Sequence, residues 1–502
     1  MHDPMHVLVI GSGLAGTNAA LLASQFAKVT LLSKSELQET NTQRAQGGIA
    51  AAMTGLDDPA LHAEDTIRAG AGLCDPAAVD ALTADGASAI QRLIQLGVNF
   101  DRGRDGDLAL ATEGAHSTPR VLHAGGDQTG RHIQDALVER LAEADVDVRT
   151  GNAVEDLVVE AGRCAGVLTD ARETILADAV ILASGGSGAL YRITTNPANA
   201  TGDGVALAFR AGAVVRDPEF VQFHPTALAG EESAFLISEA VRGEGAVLLD
   251  SRGDRFMSSI HPDAELAPRS VVAQAIFETM RRDSADHVRL DVSHLDSDFL
   301  RERFPGVYRG ALERGYDITT GPIPVAPAAH YHMGGVYTDI DGRTTIRGLY
   351  AAGECASTGA HGANRVASNS LLEAAVFSSR AVESVLRNTH EADMRDDDVT
   401  TLRIHPHGGA PSWQNLKRTM SELVGISRTG EDLRAAIERF DQWSAQRSDR
   451  GDASLELGTL TARLITEAAL QRTETRGSHL RLDFPETSPD WQRHSLWRLA
   501  RE

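Results

Sequence analysis

Apolar residues in this chain fall into short runs that end in glycine, and that pattern sets the reading of its fold. His6–Ile10 carries a nearly continuous apolar run, which predicts a strand buried on both faces. Leu14–Phe26 has helical spacing, and Lys28–Ser33 reads as a second strand. Ala179–Ala183 and Gly348–Ala352 are further short apolar strands running into glycine. Strand, glycine turn and helix in that order predict a doubly wound α/β domain. Residues 218–333 have another texture, with strand-like pieces around a helix at Arg269–Met280 and a close in GPIPVAPAAHYHMGG. An α+β capping domain is expected there, inserted into a dinucleotide-binding domain made of 1–217 and 334–403. Ile404–Ser412 (IHPHGGAPS) reads as a linker. Leu416, Met420, Leu423 and Val424, then Leu455, Leu457, Leu460 and Leu464, recur at helical spacing, so 404–502 is expected to be a helical C-terminal bundle.

Composition narrows the function. A chain of 502 residues is too long for one core. Its 48 basic and 70 acidic residues give a net charge of −22, which argues against a nucleic-acid-binding face and gives no support to an acidic membrane partner. Cys74, Cys164 and Cys355 stand far apart without a CxxC, so neither a disulfide framework nor a cysteine zinc site is expected. No basic stretch precedes an apolar leader, and no run approaches the roughly 18 apolar residues of a spanning helix. A soluble, cytoplasmic protein is the expectation.

Gly11, Gly13 and Gly16 form G-x-G-x-x-G between the first strand and the first helix. The first glycine permits the tight turn, the second lets a pyrophosphate approach, and the third lets helix pack on strand. The acidic ribose ligand of that fingerprint is missing at the end of the second strand, where Glu36 is the nearby carboxylate, and this weakens a plain NAD reading. A later strand, GLYAAGE (348–354), is followed by SNSLLE (368–373), where Ser370 and Glu373 have capping-box spacing. A helix N-terminus aimed at a flavin's N1/C2 region stabilises the anionic reduced ring, which favours FAD.

Beyond these residues, the chain resembles the fumarate reductase/succinate dehydrogenase flavoprotein family. The resemblance is carried in order by GSGLAG, NTQRAQGGI, FHPTAL, EAVRGEGAVL, ELAPRSVVAQAI, PAAHYHMGGV and HGANRVASNSLLEA. GISRTGEDL and RGSHLRLDFPE resemble its aspartate-oxidising branch. The resemblance implies FAD contacts at Gly11, Ser12, Gly13, Leu14, Ala15, Gly16, Lys34, Asn41, Thr42, Gln43, Arg44, Ala45, Gln46, Gly47 and Gly48. It implies further contacts at Ala153, Val154, Asp203, Glu354, Ser370 and Leu371.

His224, Arg269, His330 and Arg365 lie on four separate segments beside Gly, Pro or Ala. In an acidic protein a small anionic substrate is drawn in by local cations, and two arginines can each grip a carboxylate. By the resemblance, His224, His330 and Arg365 bind the substrate carboxylates, Ser238 and Glu239 hydrogen-bond the dicarboxylate, and Arg269 shuttles the proton. An arginine base needs a desolvated, cationic neighbourhood, because its free pKa exceeds ~12. His332, two residues after His330, suggests a metal pair only superficially: no third ligand is evident, and no metal is expected.

Three positions separate the branches of the family. Asn41 stands where covalent relatives carry the flavin-bonded histidine, so the FAD is expected to be noncovalent. Glu113, in ATEGAHS, supplies a carboxylate for a substrate ammonium, although Thr112 and Ala115 replace the arginine and glycine of the family pattern. The third is RGSHLRLDFPE. The implied reaction is oxidation of L-aspartate to iminosuccinate, with oxygen or fumarate as oxidant, feeding quinolinate and NAD synthesis, with quinolinate synthase as an implied partner. The alternative is a soluble fumarate reductase or succinate oxidase. An RNA-directed flavoprotein and a silent FAD scaffold are disfavoured by the acidity and by the arginine–histidine set.

Overall fold

Five strands, β1 (His6–Ile10), β2 (Lys28–Leu32), β3 (Val146–Arg149), β4 (Ala179–Leu182) and β5 (Leu349–Ala351), form a sheet in the order β5-β4-β1-β2-β3. Every pairing in it is parallel, so each connection must cross over a face. Successive strands lie to either side of β1, and a crevice opens at the strand carboxyl ends where the order reverses. The computed structural model describes residues 4–55, 57–230, 234–387, 392, 399–403, 409–445 and 452–500. Most of the expected linker, 404–408, lies outside them.

Both faces of the sheet are buried, as the unbroken apolar runs require. Val7, Val9, Leu31 and Ile181 pack on one side with α1 (Leu14–Ala23) and with a long helix at Asn369–Leu386. Leu8, Ile10, Leu32, Val180 and Leu182 pack on the other.

The capping region is a four-stranded antiparallel sheet, in the order Val221–Leu228, Ile323–His332, Val288–Asp291 and Val247–Leu249. Leu248, Leu290 and Val325 from this sheet meet Val272 and Ile276 of α2 (Arg269–Asp283) in a core of their own. Pro225 has no N–H to give the ladder, and the register slips between His224 and Ala227. The long helix Asn369–Leu386, α3, follows in the chain.

Three C-terminal helices occupy Trp413–Leu423, Gly430–Ala445 and Ala453–Gln471. Leu416, Met420, Leu433, Phe440 and Ile465 share a core. Leu457, Leu460 and Leu464, expected as a bundle seam, instead join the apolar cluster on the second face of the parallel sheet, their helix packing against the helix Asp203–Arg210. The chain then returns as a strand, Leu496–Leu499, pairing with Val215–Arg216 and Val399–Leu402. So short a strand owes its existence to partners far away in sequence, and local periodicity cannot reveal it. Among the described residues no helix is long and apolar enough to cross a membrane.

Candidate active site

The first part of the site is built by backbone. Gly11 has φ +112°, and a Cβ on it would stand 2.2 Å from the Ala183 carbonyl oxygen. A Cβ on Gly16 would stand 1.9 Å from the Gly11 carbonyl oxygen, so α1 can settle on the turn only with glycine there. Gly13 caps α1 without a side-chain hydrogen bond. Above this turn runs a cleft of about 1100 Å³, counting the space open to solvent, at the carboxyl ends of β1, β2, β4 and β5.

Gly11, Ser12, Gly13, Leu14, Ala15, Lys34, Asn41, Thr42, Arg44, Ala45, Glu354, Ser370 and Leu371 line this cleft. Gly16, Gln43, Gln46, Gly47, Gly48, Ala153, Val154 and Asp203 are set back from its wall. Asp203 accepts from Lys34 Nζ at 2.7 Å, and Val154 opens a separate antiparallel sheet. Gly48 is pressed against the strand at Val121–Leu122, where a Cβ would stand 2.2 Å from Val121 Cγ1. Of the two carboxylates that follow β2, Glu39 lines the cleft and Glu36 does not. Asn196 and Tyr331 also line it, and the sequence did not single them out.

The cleft fits a dinucleotide. It is glycine-floored and meets the N-termini of α1 and α3, neither of which has a side-chain cap. Asn41 Oδ1 and Gln46 Oε1 are buried beside it without hydrogen-bond partners. Asn41 Nδ2 donates to Glu354 Oε2 at 2.7 Å, and the His332 amide donates to Glu354 Oε1 at 3.0 Å. Burial pushes the Glu354 carboxyl up to about 7 despite those donors.

The capping box expected at Ser370 and Glu373 does not form. The N-cap of α3 is Ser368, in a left-handed conformation (φ +63°). Ser370 Oγ accepts from Arg365 Nη1 (3.1 Å), and the Glu373 carboxylate accepts from the hydroxyls of Tyr331 and Thr358 (2.6 Å each). Tertiary donors in a buried interior have displaced the local cap. His332 likewise binds Ser187 Oγ (3.0 Å) and the Pro218 carbonyl (2.9 Å), which accounts for both its ring nitrogens.

The second part is built by side chains. His224 comes from the strand beside Pro225, His330 from the facing strand, Arg269 from the first position of α2, and Arg365 from the loop before α3. The two imidazoles meet edge to face with centroids 5.0 Å apart. Arg269 Nη1 and Arg365 Nη2 both donate to Gln222 Oε1, at 3.3 and 3.2 Å. Gln222 is wholly buried; its one mark in the sequence is a polar residue between Val221 and Phe223, two positions before His224.

Electrostatics corrects one expectation: the histidines are not cations here. Burial, then Arg269, pushes both imidazoles well below their ordinary value, so they are neutral near pH 7. The Thr226 amide donates to His224 Nδ1 at 3.2 Å, leaving the ring proton on Nε2, which is buried and has no protein partner. His330 Nδ1 meets Thr195 Oγ1 at 2.8 Å. Both rings can therefore donate hydrogen bonds without carrying charge, and the positive charge rests on the arginines. Burial and Arg269 push Arg365 down to about 10. Arg269 differs from Arg365 in being paired directly with a carboxylate, that of Glu239.

Glu239 Oε2 accepts from Arg269 Nε at 2.5 Å and lies 3.6 Å from Arg242 Nη2. Burial opposes its charge, but Arg269 and Arg242 outweigh it and hold the carboxyl down to about 2. Ser238 caps the short helix Glu239–Gly243 by accepting from the Ala240 amide at 3.3 Å.

The loop around Glu113 reaches this cluster, since a Cβ on Gly114 would stand 2.1 Å from Glu239 Oε1. Glu113 is buried; its Oε2 accepts from Ser368 Oγ at 2.6 Å, and its Oε1 has no hydrogen-bond partner. Ala115, where the family pattern has glycine, sits at φ +69°, a left-handed conformation that an alanine adopts only at a cost.

A glycine-floored cleft at the strand reversal, joined to an arginine–histidine pocket under an inserted cap, defines an FAD-binding oxidoreductase. The sequence matches the FAD binding domain family over residues 6–371 and the fumarate reductase flavoprotein C-terminal family over 413–502. The fold is shared with an E. coli quinol fumarate reductase chain (TM-score 0.88, 31% identity, 98% of this chain and 94% of that one). It is also shared with a Mycobacterium smegmatis Sdh1 chain (TM-score 0.77, 30% identity, 98% and 90%). L-Aspartate oxidases from Synechocystis sp. (44% identity over 98% of this chain and 96% of the relative) and Caulobacter vibrioides (45%, 96% and 94%) are similar along their whole length. The chain belongs to the L-aspartate oxidase family.

Proposed function

We propose that this protein oxidises L-aspartate to iminosuccinate with noncovalently held FAD. The observation that carries the amino-acid reading is Glu113: a buried carboxylate with one oxygen free of hydrogen bonds, beside a pocket whose other carboxylate, Glu239, is already held by Arg269 and Arg242. Succinate gives such a carboxylate nothing to bind, whereas an ammonium does. Arg365 and the Nε2–H of His224 bind the two substrate carboxylates, assisted by His330 and Ser238. To Arg269, held by Glu239 and Gln222, this reading assigns the proton at the reacting carbons.

Gly11, Gly13, the amide end of α1, Asn41, Glu354 and the amide end of α3 would hold FAD, which when bound accepts the hydride equivalent from the substrate Cα–H. Oxygen or fumarate then serves as the terminal oxidant. Iminosuccinate is reactive and hydrolyses readily, which suits direct use by quinolinate synthase in NAD formation. Asn41 cannot form the covalent flavin bond, so acid precipitation should release the yellow colour to the supernatant; colour in the pellet contradicts it. The functional test is anaerobic bleaching of bound flavin by L-aspartate, D-aspartate and succinate. L-Aspartate should bleach it fastest. Faster bleaching by succinate would favour the dicarboxylate alternative.

A further inference from the structure

We propose that His123 is the proton partner of Glu113, and that this pair removes a proton from the substrate's ammonium group before its carbon is oxidised. The proposal rests on the amino-acid reading of the site above and adds a residue to it.

His123 follows the short strand Val121–Leu122 and is 6% exposed. Neither ring nitrogen has a hydrogen-bond partner, and Nε2 faces Glu113 Oε1 at 3.7 Å, an oxygen that is itself unpartnered. Two buried polar groups left open toward each other are not what folding alone selects. Ser368 holds the other Glu113 oxygen, so Oε1 is the one left for chemistry. Catalytic hydrogen bonds are often long before substrate binds and tighten in its complex.

The other charged groups around His123 are already engaged. Asp101 accepts from the amides of Gly125 and Gly126 (2.9 Å each), and Asp127 accepts from those of Gly306 and Val307 (2.8 and 2.6 Å). Arg303 donates to Glu244 at 3.3 Å. The ring lies close over Gly48, where a Cβ would stand 3.2 Å from His123 Cε1. Burial pushes the imidazole down, against the pull of Glu113, so the ring rests neutral with one ring nitrogen unprotonated.

The chemistry requires such an acceptor. A protonated amine has no lone pair with which to form the C=N bond. One N–H proton passes to Glu113 Oε1 and on to His123 Nε2; the freed nitrogen pair then forms C=N as the Cα–H pair leaves as hydride to the bound flavin. Charge and electrons balance: ammonium and C–H become iminium, one hydride and one proton. Fumarate and succinate carry no such proton, so the relay serves amine oxidation alone.

The test uses His123→Gln and His123→Asn holoenzymes, with bound-flavin absorbance as the check on folding. Anaerobic flavin reduction by L-aspartate is followed from about pH 6 to about pH 9, and fumarate is reduced by the dithionite-reduced enzyme on the same preparations. Near neutral pH both variants should lose about 10- to 100-fold on aspartate, recovering as pH rises and more substrate arrives as free amine. The aspartate loss should exceed the fumarate loss at least about tenfold. Equal losses on both substrates, or a pH profile parallel to that of the parent, would overturn the relay. A parent enzyme that bleaches with aspartate while the variants match it removes His123 alone, whereas a parent that does not bleach removes the aspartate reading and the relay with it.

Discussion

The dinucleotide cleft and the substrate pocket adjoin, yet they are made of different material. The cleft is shaped by main chain: a strand end, glycines that admit close backbone approach, and two helix N-termini without side-chain caps. The pocket is shaped by side chains from four distant segments, tied together by Gln222 between two arginines and by Glu239 between Arg269 and Arg242. The backbone site has little chemistry of its own and tolerates many side chains, provided that glycine stays where a Cβ would collide. The side-chain site depends on charge placement within a buried volume, where each arginine lowers its neighbours' affinity for protons. Damage to the first should release the cofactor; damage to the second should stop the reaction with the cofactor still bound.

Arg269→Leu is the strongest way to break that division. Flavin reduction should fall by about 10²–10⁴ while FAD stays bound, because the guanidinium touches Glu239 and Gln222 and lies outside the dinucleotide cleft. Stopped-flow bleaching with L-aspartate reads the rate, and the absorbance of the purified variant reads the cofactor. FAD lost together with activity would merge the two regions.

Gly11→Ala attacks the other side. It adds a Cβ 2.2 Å from the Ala183 carbonyl oxygen at a φ of +112°. Overpacking and backbone strain together put about 4 kcal/mol on the native turn, so a turn that relaxes and must be driven back by the cofactor loses up to roughly 1,000-fold in FAD affinity, with every pocket side chain unchanged. Titration of the FAD-free protein with FAD measures this. An unaltered dissociation constant would mean that the glycine is not needed for close approach.

Glu354→Gln has the smallest expected effect and probes the seam between the regions. The carboxyl is held up at about 7, above the ordinary value of 4.5. The folded state thus favours its protonated form, and this contribution is fully present below pH 4.5 and lost as pH rises through about 7. In FAD-free protein the parent should therefore lose up to about 3 kcal/mol of stability, relative to the glutamine variant, between these limits. Parallel pH–stability curves for the two proteins would contradict it.

The same contrast decides what could be read from the sequence. The parallel sheet and first helix were legible because apolar runs and glycine spacing record backbone geometry directly, and the helix at Arg269 was legible from its start. The chain's closing strand was not, since its partners are remote in sequence. In the pocket, individual residues gave no sign of their neighbours; resemblance grouped His224, Arg269, His330 and Arg365. It missed Gln222, which joins two of them, and it treated the histidines as cations although their burial beside arginines keeps them neutral. The Ser370–Glu373 spacing misled for the converse reason: a local pattern was overridden by buried partners across the fold.

The most direct measurement of the central claim is the substrate preference of Glu113→Gln. Glutamine keeps the size of the side chain and an acceptor for Ser368 but removes the charge that answers an ammonium. Loss of a buried charge-assisted pair costs about 2–4 kcal/mol, which is about 30- to 1,000-fold in kcat/KM for L-aspartate. Fumarate reduction, measured on the same preparation, should change little by comparison. A selective loss on aspartate is the result this account predicts; equal losses on both substrates, or no loss on either, would contradict Glu113 as the ammonium partner and, with it, the distinction between this site and a dicarboxylate reductase.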